Sequence, residues 1–126
     1  MVAFPGDGST VPLNSFSSGE WPDPLASCAG YAAPTGLPIT LQFGVPVSTI
    51  DSHSLSLHGL PVEHCVFDAR TYFNRDDFQR EWARRVVGPI GLVVLIPRRP
   101  LSWESTYTVS IGVDGHEYKW SFKPKQ

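Results

Sequence analysis

The sequence predicts an all-β fold, an antiparallel β-sandwich of about seven strands with one short helix inserted near residues 75–87. Three observations point there. The stretch Thr106 to Lys123, TYTVSIGVDGHEYKWSFK, reads as two strands joined by Asp114-Gly115, a dipeptide that accepts the positive φ values of a two-residue hairpin turn. Apolar residues elsewhere alternate with period two or form runs of strand length. The chain also carries 11 Gly and 12 Pro, which punctuate it into short pieces.

Taken in order, Phe4 to Asn14 (FPGDGSTVPLN) reads as an opening strand after a Gly-rich turn, with Val11 and Leu13 inward. Ser15 to Pro38 is rich in Ser, Gly, Pro and Ala without a sustained period. It reads as a long loop with room for one short extended piece. Loops of that length in compact domains are commonly functional or pinned down, and Trp21 and Cys28 are the residues to pin this one. Pro38 to Val47 alternates, with Ile39, Leu41 and Phe43 on one face. Ser54 to His58 continues the pattern with Leu55 and Leu57 inward, and Gly59-Leu60-Pro61 turns the chain. Val62 to Ala69 is a strand with mixed faces, which burial on both sides or a bulge explains.

Asn74 to Gly88 breaks the period-two rule. Phe78, Trp82 and Val86 recur at spacing four, Asn74 offers an N-cap, Asp76 and Asp77 fall in the first turn, and Arg84 and Arg85 fall in the last. This predicts a short helix with Phe78, Trp82 and Val86 on the sandwich and Arg80 and Arg84 in solvent. Gly91 to Pro97, GLVVLIP, is an unbroken apolar run suited to a central strand. In the closing hairpin Val113 should face His116, Ile111 Tyr118, Val109 Trp120, and Tyr107 Phe122, all on one apolar face. That face requires a second layer to cover it.

The 126 residues suffice for a single domain, 1–126, with a sizeable core, and the 41% hydrophobic content supports a globular chain. A net charge of -2 argues against nucleic acid as a partner. No apolar run approaches the length of a membrane span. The start, Met1-Val2-Ala3-Phe4-Pro5, has neither the basic residues nor the apolar stretch of a secretory signal. The single Met, at position 1, suggests an initiator added to an excised fragment; a naturally Met-poor chain is the alternative. Cys28 and Cys65 have no metal-ligand or redox spacing, which leaves one disulfide in an oxidising compartment or two buried thiols.

At Leu95 to Val109, LIPRRPLSWESTYTV, the sequence resembles bacterial Ig-like domains of secreted and cell-surface proteins. The shared pattern is a strand ending in Pro, then Pro-Leu, a short turn and Thr-Tyr-Thr-Val. Trp120-Ser121-Phe122, Gly8-Ser9-Thr10-Val11-Pro12 and Ile39-Thr40-Leu41-Gln42-Phe43 extend the likeness. The form ending in Trp-Ser-Phe is similar to modules that follow cysteine-rich-secretory-type (CAP) domains. Where that pattern has Pro-Gly, this chain has Trp103-Glu104. The resemblance implies an Ig-like sandwich, a bacterial origin, an extracellular or cell-envelope location, and the parent chain's other domain as partner. A cell-surface protein or glycan is a further partner. Independently of the family, Tyr107 is placed to bury its ring and return its hydroxyl to nearby backbone, as in a tyrosine corner.

No catalytic pattern is present: neither Gly-x-Ser-x-Gly nor a Ser or Cys with a nearby His and acid. Ser52-His53-Ser54 reads as a structural turn. His53, His58, His64 and His116 match no zinc or non-haem iron spacing and read as single solvated or capping histidines, with a copper-type histidine site as the alternative. Asp7, Asp23, Asp51 and Asp114 are too dispersed for a calcium loop. Arg80, Arg84, Arg85, Arg98 and Arg99 make up half of the ten basic residues, and form either a solvated face or a surface for an acidic partner domain. Trp21, Trp103 and Tyr31 in loops offer stacking surfaces for a carbohydrate. The sequence thus predicts a non-catalytic accessory module without cofactor, used for spacing, domain docking or surface interaction. The interaction surface is expected among Trp21, Trp103, Arg80, Arg84, Arg98 and Arg99; carbohydrate binding and histidine metal binding are the alternatives.

Overall fold

Asp114 and Gly115 both take positive φ, 48° and 84°, and close a two-residue turn. That turn sets the pairing of the last two strands. Val109 lies opposite Trp120, Ile111 opposite Tyr118, and Tyr107 opposite Phe122, as the sequence predicts. The shared face is buried except at its tip, where Tyr118 is half-buried and His116 is exposed.

The computed structural model describes residues 1–17 and 23–126. Its strands are β1 (Val2–Phe4), β2 (Ser9–Val11), β3 (Ser15–Phe16), β4 (Thr35–Gly36), β5 (Ile39–Gln42), β6 (Ile50–Leu57), β7 (Leu60–Pro61), β8 (His64–Asp68), β9 (Leu92–Pro97), β10 (Tyr107–Val113) and β11 (His116–Pro124). A 3₁₀ turn spans Pro24–Ser27, and the helix α1 spans Asp77–Val87. One sheet has the order β1-β5-β9-β8 and the other β2-β11-β10-β6-β7, while β3 and β4 make a small ribbon. Pairing is antiparallel except between β2 and β11. The chain is therefore mostly β, with two sheets packed face to face. Six strands have four or more residues, and five short pieces bring the described total to eleven, above the expected seven.

The two inner faces meet over Ile39, Leu41, Val93 and Leu95 from the first sheet and Leu55, Val109, Ile111, Trp120 and Phe122 from the second. At the base of this core the Tyr107 hydroxyl accepts the Ser102 N–H at 2.8 Å, giving the buried ring a polar outlet. The first sheet is covered on its outer face as well. There Phe67, Val94 and Ile96 pack with Cys28, Tyr72 and Ala83. Strand β9 is thus buried on both sides, which is why it reads as a continuous apolar run, and β8 has mixed faces for the same reason.

Several local expectations are corrected. The opening stretch makes two short strands, and of its expected inward residues Val11 is buried but Leu13 is exposed. Ser15 to Pro38 holds two paired strands and a 3₁₀ turn where a long loop with one short extended piece is expected; the expectation placed on Trp21 lies outside the described residues. The turn after β6 is His58-Gly59, with φ of 51° and 77°, and Leu57 faces Leu60 across it. Ser52-His53-Ser54 lies inside β6 and is not a turn.

The helix forms near its expected place, but its faces are exchanged. Phe78, Trp82 and Val86 are 65%, 40% and 48% exposed, while Ala83 is 4% exposed. The N-cap is Asp76, which accepts the Phe78 N–H at 2.9 Å. Gln79, one turn before Ala83, is tied inward: its carbonyl accepts from the Asp23 N–H and the Asn74 amide. These bonds fix the helix rotation, and the small Ala83 permits close approach to the sheet. Asn74 is the buried connector beneath this turn, bonded to Tyr72 and to the Asp76 N–H, and not the cap.

Candidate functional site

The covered outer face is incompletely filled. Between α1, the first sheet and the 23–38 segment lies a pocket of about 470 Å³, within the range of roughly 300–1,000 Å³ typical of small-molecule sites. Its floor is Thr40, Leu92 and Val94, with Phe67 beside them; Ala83 and Val87 come from the helix, Pro24 from the 23–38 segment, and Phe16 from β3. The sequence places these walls by strand parity. Thr40 and Val94 are paired neighbours on β5 and β9, on the face opposite to Ile39, Leu41, Val93 and Leu95.

The ionisable groups in the lining are Asp68 and Tyr72, and both are committed to the scaffold. The buried Asp68 carboxylate accepts the Arg70 and Thr71 N–H groups at 2.8 and 3.0 Å and pairs with the Arg70 guanidinium at 2.8 Å. Tyr72 donates its hydroxyl to the Asp23 carbonyl at 2.5 Å and accepts from the Asn74 amide at 2.9 Å. Burial raises the Tyr72 pKa, against the lowering effect of the Asn74 hydrogen bond. The pocket therefore presents mostly apolar walls and two ionisable groups that already have partners, which suits an apolar occupant.

One flank is fastened by Cys28 and Cys65, which are bridged with Cα atoms 5.8 Å apart. Beside the bridge Arg98 donates to Glu63 at 2.9 Å and to the Gly30 carbonyl at 3.1 Å, with its guanidinium 5.2 Å from the Tyr31 ring centre. Burial and the Glu63 charge raise the Tyr31 pKa, while Arg98 lowers it. One face of the Tyr31 ring is thus taken by a cation. Trp103 is half-buried in the turn that Glu104 anchors to the Pro124 carbonyl.

The five arginines do not share one environment, and Arg85 is exposed on the last turn of α1. Arg80 is held on the first helical turn by Asp77 and the Asn74 carbonyl, Arg84 is exposed on the last turn, and Arg98 belongs to the clasp beside the disulfide. Arg99 follows it, exposed, beyond the end of β9. Asp51 and Asp114, far apart in sequence, meet at the hairpin tip. Asp114 accepts the Thr49 and Ser48 N–H groups, which lowers its pKa, and Asp51 accepts the Gly115 N–H. Their role there is to hold the turn.

His53 and His64 were expected as unrelated histidines, but they meet. His53 Nδ1 lies 2.8 Å from His64 Nε2, and His64 Nδ1 lies 2.7 Å from the Val62 carbonyl. Burial, with the His64 charge second, lowers the His53 pKa. Parity carried a signal for this: His53 shares its face with Leu55, and His64 shares its face with Val66, so both point between the sheets. The pairing of the two strand edges was the missing piece. Among the described residues no group of three or more His, Cys, Asp or Glu is placed to hold a metal ion. Among them, too, no helix is long and apolar enough to cross a membrane. Comparison with protein-family models, curated proteins and solved structures yields no match for this chain.

Proposed function

We propose that the chain is a non-catalytic, Ig-like accessory module of a larger secreted or envelope-associated bacterial protein, and that it binds a small apolar ligand in the pocket beneath α1. The observation that carries this reading is the pocket itself: about 470 Å³ of space walled by apolar side chains, with its two ionisable lining groups engaged by scaffold partners. An apolar occupant gains roughly 25 cal/mol for each Å² of apolar surface it removes from water there. The Cys28–Cys65 bridge supports an oxidising compartment, where such bonds persist.

The test is displacement of anilinonaphthalene sulfonate by decanoic acid, followed by fluorescence on the purified chain. One saturable site is expected, weakened at least tenfold by Val87→Trp, which puts bulk at the pocket wall, in a variant whose circular dichroism is unchanged. Absence of saturable displacement, or a Val87→Trp variant that binds as well as the parent, would overturn the reading.

A further inference from the structure

We propose that His53 and His64 form a two-imidazole site for a borderline divalent transition-metal ion, Cu²⁺ foremost, at the open edge of the sandwich. The site is independent of the pocket. Its two ligands come from different sheets, His53 from β6 and His64 from β8.

Proton placement follows from the partners. The Val62 carbonyl only accepts, so His64 Nδ1 carries the hydrogen and its Nε2 holds a bare lone pair directed at His53. A ring N–H donated to a backbone carbonyl is the support that ligating histidines commonly have, because it fixes the tautomer and the ring orientation. His53 Nδ1 then donates to that lone pair. A shift of the His53 proton from Nδ1 to Nε2 leaves a lone pair on each of the two facing nitrogens.

Cis coordination with metal–nitrogen bonds of 2.0–2.1 Å needs the nitrogens about 2.9–3.4 Å apart, for angles between square-planar and tetrahedral. The present separation is 2.8 Å with ring centres 4.9 Å apart, so the two nitrogens face each other nearly head-on, and binding needs a slight widening together with a turn of both rings toward the ion. The adjacent carboxylate, Glu63, is engaged by Arg98, so water completes the coordination. Two imidazoles with open positions favour Cu²⁺ over Ni²⁺ and Zn²⁺ on the general order of divalent stability.

The experiment is Cu²⁺ titration of the intact chain by calorimetry at pH 7.5, with electron paramagnetic resonance of the loaded protein. One ion per chain with superhyperfine structure from two nitrogens is expected. His53→Gln and His64→Gln should each raise the Kd at least tenfold, while His58→Gln and His116→Gln leave it unchanged. His53→Gln alters an exposed side chain and so tests the site even if His64→Gln weakens the fold. Lack of stoichiometric binding, binding that survives the double variant, or loss with His116→Gln would overturn the assignment.

Discussion

The Trp120 indole N–H donates to the Pro5 carbonyl at 2.8 Å, tying the closing hairpin to the N-terminal segment across 115 positions of sequence. The same ring lies opposite Val109 and is 6% exposed. Trp120→Ala should cost about 3–5 kcal/mol, by loss of packing and the cavity left behind. Trp120→Phe keeps much of the apolar area but leaves the Pro5 carbonyl without its donor, and should cost about 1–3 kcal/mol. Urea unfolding checks the order; a Phe variant as weak as the Ala variant would show that the hydrogen bond, not the packing, dominates.

The exchanged helix faces give a sharper contrast. Ala83 is 4% exposed against the sheet, and Arg84 beside it is exposed. Ala83→Asp would bury a carboxylate among Phe67, Tyr72 and Val94 and should destabilise by more than 3 kcal/mol, on the order of the penalty for an unpaired buried charge. Arg84→Ala should stay within about 0.5 kcal/mol. Equal effects of the two substitutions on the denaturation midpoint would contradict the observed rotation of α1.

What was legible in the sequence divides along physical lines. Asp114-Gly115 dictates its turn from local φ requirements, and a fixed turn dictates the register out to Tyr107 and Phe122. The run Leu92–Pro97 announces burial on both faces by composition alone. Alternation likewise placed Ile39, Leu41 and Leu55 in the core. The helix face is not legible from spacing four, which fits any stripe. What selects the stripe here is a pair of hydrogen bonds that the Gln79 side-chain carbonyl accepts from Asp23 and Asn74, with Asp23 more than fifty positions earlier. The pocket has the same origin: Phe16, Thr40, Phe67, Ala83 and Leu92 are scattered along the chain, and only the packing of α1 and the 23–38 segment on the sheet makes them neighbours. The histidine pair was half legible, since parity aims both rings inward, but strand parity does not tell which sheet edges adjoin.

Reducing the Cys28–Cys65 bridge should weaken the fold measurably. The cysteines are 37 positions apart, and a closed loop of that size restricts the unfolded chain by roughly 4 kcal/mol in the chain-entropy model. Thermal unfolding with and without dithiothreitol tests this, and a Cys28→Ala, Cys65→Ala variant should match the reduced protein. Unchanged midpoints would mean that the Arg98 contacts with Glu63, Gly30 and Tyr31 hold the segment by themselves.

The last prediction concerns acid. The folded-state pKa of His53 lies below its ordinary value, mainly through burial and then through His64. The unfolded chain, with a free His53 imidazole near pKa 6.5, therefore binds more protons in this range. Stability contributed by neutral His53 is present above about pH 6.5 and is lost as pH falls through that value and the folded pKa below it. Asp114 acts in a different window, because its carboxylate is stabilised by the Thr49 and Ser48 N–H groups. Its contribution is present above the ordinary carboxylate range, near pKa 3.9, and is lost only in stronger acid. The melting temperature should thus fall between pH 7.5 and 5.5, and the fall should be smaller in His53→Gln, which keeps a neutral side chain throughout. In Asp114→Asn that same step should match the parent, while the further loss below pH 4 should shrink. A parent and a His53→Gln variant with identical profiles from pH 7.5 to 5.5 would show that the two sheets are not coupled through this pair.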